Sequence, residues 1–472
     1  MTHPLHLLRH CLVSALLLCP LHGLAGSAGS APGSDGPRNV ILIIGDGMDE
    51  QQITIARNYL AGAAGRLVLD GMPLRGAVQV LTVEDKVGGK PVYVADSANT
   101  ATSMATGALT SRGRIATSAG SDEPLETIVQ LAAAAGLRTG LVTTASVTDA
   151  TPAAFAAHIN FRLCENPDSM VNVSYSDIPL GDCSQHLKSR GGLGSISEQL
   201  AASPLQVILG GGARHFAPSV EGGQRSVREL AEANGFTVLS TRAELAAASD
   251  GERLLGLFAP STLPVRLRGQ AGREAEAPEP SLLNRVHPYL GDVTLPEPMT
   301  CEPNPAFADV PTLQEMTDAA IHNLSAGNAR GFFLMIESAS IDKQAHERKP
   351  CGSIGEMEQL DEALASALAF AKRQPNTLVL VTADHSQAAQ LIPEYSLFAA
   401  YPIPTYTPGK LARIVTPEGG RMAVNYATTN FVMEEHTGAA VPLYSNKEGL
   451  GRIAPFIQQP ELYGIMRDYL GL

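Results

Sequence analysis

The sequence predicts an α/β fold, a mainly parallel central sheet with helices on both faces. Two observations predict it: short, continuously apolar runs recur along the chain, and segments with helical spacing alternate with them. A third observation marks the working end of that sheet. Metal-capable and nucleophilic side chains recur where the apolar runs stop, and ligands of such sheets gather beyond the carboxyl ends of the strands.

The first run, "NVILIIGDG", shows no alternation and stops at Gly45-Asp46-Gly47, as a strand buried on both faces does. "VYVA", before Asp96 and Ser97, reads as another strand. "ETIVQLAAAAG" is helical and "RTGLVTTA" extended; the alternation repeats in "SISEQLAAS" and "LQVILGGG", then in "SVRELAEANG" and "FTVLS". "TLQEMTDAAIHNLSAG" leads into "GFFLMIESAS". "GEMEQLDEALASALAFAKRQ" carries Met357, Leu360, Leu364 and Leu368 on one face and leads into "NTLVLVTADH". Residues 260–310 are rich in Pro, Glu and Gly and read as a surface excursion; no internal repeat is visible.

The 472 residues are 44% apolar, enough for a large core. The formal charge of −13 disfavours nucleic acid as a partner, because tracking its phosphates needs a Lys/Arg surplus. Residues 1–25 read as a secretory signal peptide: Arg9 and three histidines, an apolar run of about a dozen residues, then small residues with Ala25 or Ala28 as the cleavage position. A membrane span would need roughly 20 apolar residues, and no later segment supplies them. Lipidation at Cys19 is the lesser alternative, since no small residue precedes it in "LLLC". Residues 26–38 read as a flexible leader, and the mature chain as periplasmic or secreted. It keeps Cys164, Cys183, Cys301 and Cys351, an even count that implies two disulfides with three possible pairings. The rival use, a zinc–thiolate site, lacks the usual short spacing.

The residues at the run ends are Asp46; Asp96 and Ser97; Asp149 and Thr151; Glu337, Asp342, Lys343 and His346; Asp384 and His385; and, near the C-terminus, His436. Each alone has an ordinary explanation, such as an Asp capping the next helix. Recurrence at nearly every run end is harder to explain that way, because gathered carboxylates are costly to bury unless cations neutralise them. Carboxylate with imidazole suits zinc, and oxygen-only ligation suits magnesium.

In order and spacing, "GDGM", "DSANTATSMATG", "TDATPAAFAAHINFR", "IESASIDKQAH", "CGSIGEMEQLDEAL", "VTADH" and "EEHTG" resemble the alkaline phosphatases, most closely the bacterial periplasmic type. The resemblance runs from about residue 38 to the C-terminus. It implies a three-layer sandwich over residues 39–472, hydrolysis of small phosphate monoesters through a phosphoserine, two Zn²⁺ and one Mg²⁺ per chain, and a homodimer. It assigns Asp342, His346 and His436 to one zinc. Asp46, Asp384, His385 and the nucleophile Ser97 go to the other, and Asp46, Thr151 and Glu337 to magnesium. Asp96 matches the orienting neighbour of Ser97, Arg162 the phosphate-gripping arginine, and Asp149 with Lys343 the bacterial supporting pair. The cysteines fall where the family pairs Cys164 with Cys183 and Cys301 with Cys351. In one departure, Gln387 stands where bacterial relatives often carry a second histidine after "ADH".

Two rivals remain. A phosphodiesterase or sulfatase of the same superfamily is opposed by Thr151 and Glu337, which complete a magnesium set, and by the lack of a C/S-x-P-x-R motif at the nucleophile. An inactive exported phosphate- or metal-binding protein is opposed by the filling of every catalytic position. Of the hydroxyls in residues 96–107, Ser97 is then the nucleophile, and Thr100, Thr102 and Ser103 serve helix packing.

Overall fold

Asn39–Gly45 forms the first strand, β1, and all seven residues are buried. The computed structural model describes residues 36–175, 178–287, 290–394 and 408–472. The signal-peptide reading and nearly all of the leader lie outside the described residues.

The central sheet has ten strands. In chain order these are β1, β2 (Leu74–Gln79), β3 (Arg138–Ser146), β4 (Val207–Gly211), β5 (Phe236–Leu239), β6 (Arg253–Leu257), β7 (Phe332–Ser338), β8 (Thr377–Ala383), β9 (Val441–Ser445) and β10 (Phe456–Gln458). Across the sheet they lie in the order β10-β2-β9-β8-β1-β7-β3-β4-β6-β5. The run from β8 to β5 is parallel throughout. Only β9 runs against its neighbours, β8 and β2.

Helices cover both faces of the sheet. The predicted helices form, including α4 (Leu313–Ser325), which opens with a capping box between Thr312 and Glu315, and α6 (Pro350–Arg373), which buries Met357, Leu360 and Leu364. These two pack together and α6 also packs on α1 (Glu50–Leu60), while α2 (Ser97–Thr106) packs on α3 (Ala150–Ala154) and on the C-terminal α7 (Glu461–Leu470). The short α5 (Ser340–His346) joins β7 to α6.

Register places the site. Gly45 pairs with Ser338 of β7 and with Ala383 of β8. Asp46 and Asp384 therefore emerge at one level of the parallel sheet, with Glu337 opposite Ile44 just below them.

One expectation fails. "VYVA" is not a strand of the sheet: only Pro91–Val92 is extended, in a two-residue ribbon with Thr82–Val83, and Tyr93 is exposed. Asp96 and Ser97 reach the sheet's end because the loop delivers the start of α2 there. Aromatic and β-branched residues suit any extended segment, so composition alone does not separate a sheet strand from such a ribbon.

Residues 260–310 form short ribbons, Leu267–Gly269 with Cys301–Pro303 and Glu279–Pro280 with Val293–Thr294. Ala275 and Met299 are buried in a second apolar cluster, with Ile354, Ile414 and Tyr426. Disulfides join Cys164 to Cys183 and Cys301 to Cys351. Among the described residues no helix is long and apolar enough to cross a membrane.

Candidate active site

Ser97 is the first residue of α2. Asp96 caps the helix: its carboxylate accepts from Asn99 N at 3.1 Å, and the Asn99 side chain accepts from Asp96 N at 2.9 Å. The later hydroxyls turn back on the backbone. Thr100 donates to Asp96 O, Ser103 to Asn99 O and Thr102 to Arg114 O. Ser97 alone of these points to the side chains at the strand ends.

His385 Nε2 lies 3.1 Å from Ser97 Oγ, 3.3 Å from Asp46 Oδ1 and 3.2 Å from Asp384 Oδ2. One imidazole nitrogen cannot satisfy three oxygens. Its other nitrogen, Nδ1, faces Ser386 O at 3.3 Å, so neither acid orients it as the third member of a triad would. Asp384 Oδ1 accepts from Gly47 N and His385 N, whereas the buried Oδ2 accepts no hydrogen bond. Gly47 must be glycine, since its φ is +67° and a Cβ would lie 3.1 Å from Asp342 Cβ.

A second group adjoins the first. Asp342 and His346 share one face of α5, four residues apart, with Asp342 Oδ2 3.2 Å from His346 Nε2. His436 Nε2 lies 3.0 Å from His346 Nε2 and 3.4 Å from Asp342 Oδ1. The His436 ring stacks on His385 at 3.6 Å between centroids. The Nδ1 atoms of His346 and His436 face the carbonyls of Glu434 and Ala95, so they donate, and both Nε2 atoms turn inward.

Such inward-facing lone pairs and carboxylates call for a positive charge between them, and the donor types suit zinc. Ligand atoms of Asp46, Asp384 and His385 lie within 4.8 Å of one another, as do those of Asp342, His385 and His436. The titration pattern agrees. Burial, then the charges of Asp384, Asp342 and Glu337, raise the Asp46 pKa well above the usual carboxylate range. Burial disfavours a charged His436, but Asp342 overrides it and raises the pKa to about 9. Burial lowers His385 to about 4, leaving it neutral.

Glu337 accepts a hydrogen bond from Thr143 Oγ1 at 2.5 Å. Its pKa is raised to about 7 by burial and then by Asp149, against the hydrogen bonds of Thr143 and Thr151. Thr151 hydrogen-bonds Glu337, and the charge of Glu337 is in turn one of those that raise the Asp46 pKa.

Arg162 hangs beside the serine between two carboxylates. Its Nη1 lies 3.3 Å from Asp96 Oδ2 and its Nη2 2.9 Å from Asp149 Oδ1. Lys343 binds the other oxygen of Asp149 at 2.5 Å. Burial alone would raise the Asp149 pKa, but Lys343 and Arg162 hold it well below the carboxylate range. These groups line one cavity of about 560 Å³, together with Ser97, His346 and His436.

The residues nominated from the sequence thus lie near one another at this end of the sheet, with His385 rather than His346 completing the close donor group of Asp342 and His436. Sequence reasoning missed Asp49, which caps α1 and accepts from Ser386 Oγ at 2.6 Å; its only signal was a helix-start Asp. It also missed Glu165 on the cavity wall, whose pKa rises to about 7 through burial and then Asp149. Gln387, noted as a departure, donates its side-chain amide to Asp342 Oδ1 at 2.5 Å, while its Oε1 accepts from Ala388 N.

The family model described as alkaline phosphatase matches residues 37–450. The chain belongs to the alkaline phosphatase family. It is 39% identical to the alkaline phosphatase of Escherichia coli strain K12 over 450 residues, covering 93% of this chain and 87% of the relative. It is 40% identical to a streptomycin-6-phosphate phosphatase of Streptomyces griseus over 469 residues, covering 97% and 96%. Alkaline phosphatase H of Pseudomonas aeruginosa is 37% identical, with 92% and 85% covered. Among solved structures, alkaline phosphatase from the Antarctic bacterium TAB5 has the same fold, with a TM-score of 0.63 at 22% identity, 92% of this chain and 99% of that one being covered. This alkaline phosphatase is accordingly a phosphomonoesterase, and the family membership with the donor clusters makes it metal-dependent.

Proposed function

We propose that this enzyme hydrolyses phosphate monoesters through a covalent phosphoserine on Ser97, with two zinc ions and one magnesium ion per chain. Asp46, Asp384, His385 and Ser97 would hold one zinc, Asp342, His346 and His436 the other, and Asp46, Thr151 and Glu337 the magnesium. The observation that carries this reading is the convergence of Ser97, Asp46 and Asp384 on one nitrogen of His385. When bound, the ions lower the pKa of hydroxyl groups and neutralise charge on the oxygens of the reacting ester.

The protein's own groups do the rest. Arg162 is held at the cavity by Asp149 and Asp96 and presents its planar fork to two phosphate oxygens. The N-terminus of α2, which Ser97 opens, favours the same anion. Ser97 Oγ attacks phosphorus and the alcohol leaves; water then attacks the phosphoserine, releasing phosphate and restoring the hydroxyl. Lys343 keeps Asp149 ionised and so keeps Arg162 in place.

Residues 39–472 act as one catalytic domain in this reading. The N-terminal sequence supports export, and phosphate scavenging outside the cytoplasm follows as the role. A homodimer rests on family resemblance. Release of p-nitrophenol from its phosphate monoester, compared with the bis-ester, tests the reaction class. Rapid release from the monoester and little from the diester is expected; preference for the diester would overturn it. Streptomycin-6-phosphate belongs in the substrate panel, because one relative is named for it.

A further inference from the structure

Arg348 lies two residues beyond His346, and Glu434 two residues before His436. Their side chains meet in the interior, Arg348 Nε donating to Glu434 Oε1 at 2.6 Å, with exposures of 5% and 1%. The rest of the guanidinium serves the same loop. Nη1 donates to Val432 O and Nη2 to Phe431 O, each at 2.8 Å. The second oxygen of Glu434 accepts from Thr428 N at 2.9 Å and Thr428 Oγ1 at 2.6 Å, closing the loop's base. The Glu434 backbone binds His346 in both directions: its N–H donates to His346 O at 3.0 Å, and its carbonyl accepts from His346 Nδ1 at 2.5 Å.

Apolar burial does not hold this loop, since Phe431 and Val432 are 59% and 73% exposed. Nor is Arg348 at ease locally: its φ is +61°, a region that non-glycine residues enter seldom. Fold stability is also a poor account of the pair, because apolar side chains of similar volume often stabilise a protein as well as a buried ion pair does. What the pair does achieve is to tie together two segments whose histidines sit 90 positions apart and face each other at 3.0 Å.

We propose that Arg348 and Glu434 are a positioning pair that holds His346 and His436 in one preset geometry for a shared cation. The proposal rests on the zinc reading above. Through the Glu434 carbonyl it also sets the His346 tautomer that leaves Nε2 free to ligate. Groups that orient metal ligands in this way typically change metal affinity by about 10- to 100-fold when removed.

The test compares the mature wild-type protein with the double variant R348M/E434L, which replaces the pair by apolar side chains. Zinc affinity is measured by equilibrium dialysis against a competing chelator, and the site's geometry by the absorption spectrum of the cobalt-substituted protein. If the pair positions the histidines, the variant keeps its circular dichroism and metal-free melting temperature. It binds its weaker-held zinc about 10- to 100-fold less tightly and shows an altered cobalt spectrum. A folded double variant with unchanged zinc affinity and cobalt spectrum overturns the proposal. If the double variant does not fold, E434Q decides by the same two readouts: a raised zinc Kd with a changed spectrum supports the pair's role, and wild-type values overturn it. Wild-type protein that takes up no zinc would instead overturn the zinc reading itself.

Discussion

Ser97 Oγ lies 3.1 Å from His385 Nε2, although 288 positions separate the two residues. The pair looks like a nucleophile with its base. Yet Asp46 and Asp384 approach the same nitrogen, leaving no acid on Nδ1 to stabilise an imidazolium. The arrangement suits shared metal ligation, with His385 neutral, and fits the proposal that Ser97 is activated as a fourth ligand.

Ser97→Ala is expected to lower turnover by at least about 100-fold, the scale of removing one pre-organised catalytic group. Some activity should remain, because the other proposed metal ligands and Arg162 are untouched and can direct water at phosphorus. Labelled phosphate trapped at low pH should appear on Ser97 and vanish in the variant. A label on Thr100 would identify a different nucleophile, contrary to its bond to Asp96 O.

Arg162→Ala is expected to act on binding. Hydrogen bonds to a charged group contribute roughly 1.5–3 kcal/mol, so KM and the inhibition constant of phosphate should rise about 10- to 100-fold. The guanidinium is charged in ground and transition states alike, so kcat should fall less. Steady-state kinetics with phosphate inhibition checks this split.

Dialysis against a strong chelator should abolish activity, and zinc with magnesium should restore it. Zinc alone should restore part, because the proposed magnesium set of Asp46, Thr151 and Glu337 shares only Asp46 with the proposed zinc sets. Metal analysis alongside the assay makes the outcome decisive: full turnover in verified metal-free protein would contradict the ligand clusters.

The two disulfides close loops of different length, with separations of 19 and 50 residues. Each should contribute about 3–4 kcal/mol, and the chain-entropy account makes the Cys301–Cys351 bridge worth about 0.9 kcal/mol more. Urea unfolding of the two double-serine variants measures the difference. Equal losses would mean that native-state contacts outweigh loop closure.

His158 gives the fold a pH dependence of definite sign. Burial lowers its pKa; Nδ1 donates to Ala116 O, and Nε2 accepts from Gln130 Nε2 at 2.9 Å. A proton on Nε2 would break the second bond. Below the usual imidazole value of about 6.5 the unfolded chain therefore binds more protons than the folded one, and stability falls as pH falls. The slope from one such group is at most about 1.4 kcal/mol per pH unit. Unfolding curves between pH 7.5 and 5 should be steeper in pH for the wild type than for His158→Gln.

The strands and the residues at their ends were legible in the amino-acid sequence. Val40–Ile44, Phe332–Ile336 and Leu378–Val381 are buried on both faces, and such burial leaves a continuous apolar run that needs no partner to be recognised. Asp46, Glu337 and Asp384 could be nominated from where those runs stop. The i,i+4 spacing of Asp342 and His346 on α5 was local as well. Other features existed only once the chain had folded. "VYVA" has strand composition but no place in the sheet, because strand membership depends on a distant partner. The amide of Gln387 on Asp342, the convergence of Ser97 and Asp46 on His385 Nε2 and the Arg348–Glu434 pair each join segments at least 45 positions apart. Local sequence records burial and turns. Which side chains meet across such distances is decided by strand register and loop closure, and those are properties of the whole chain.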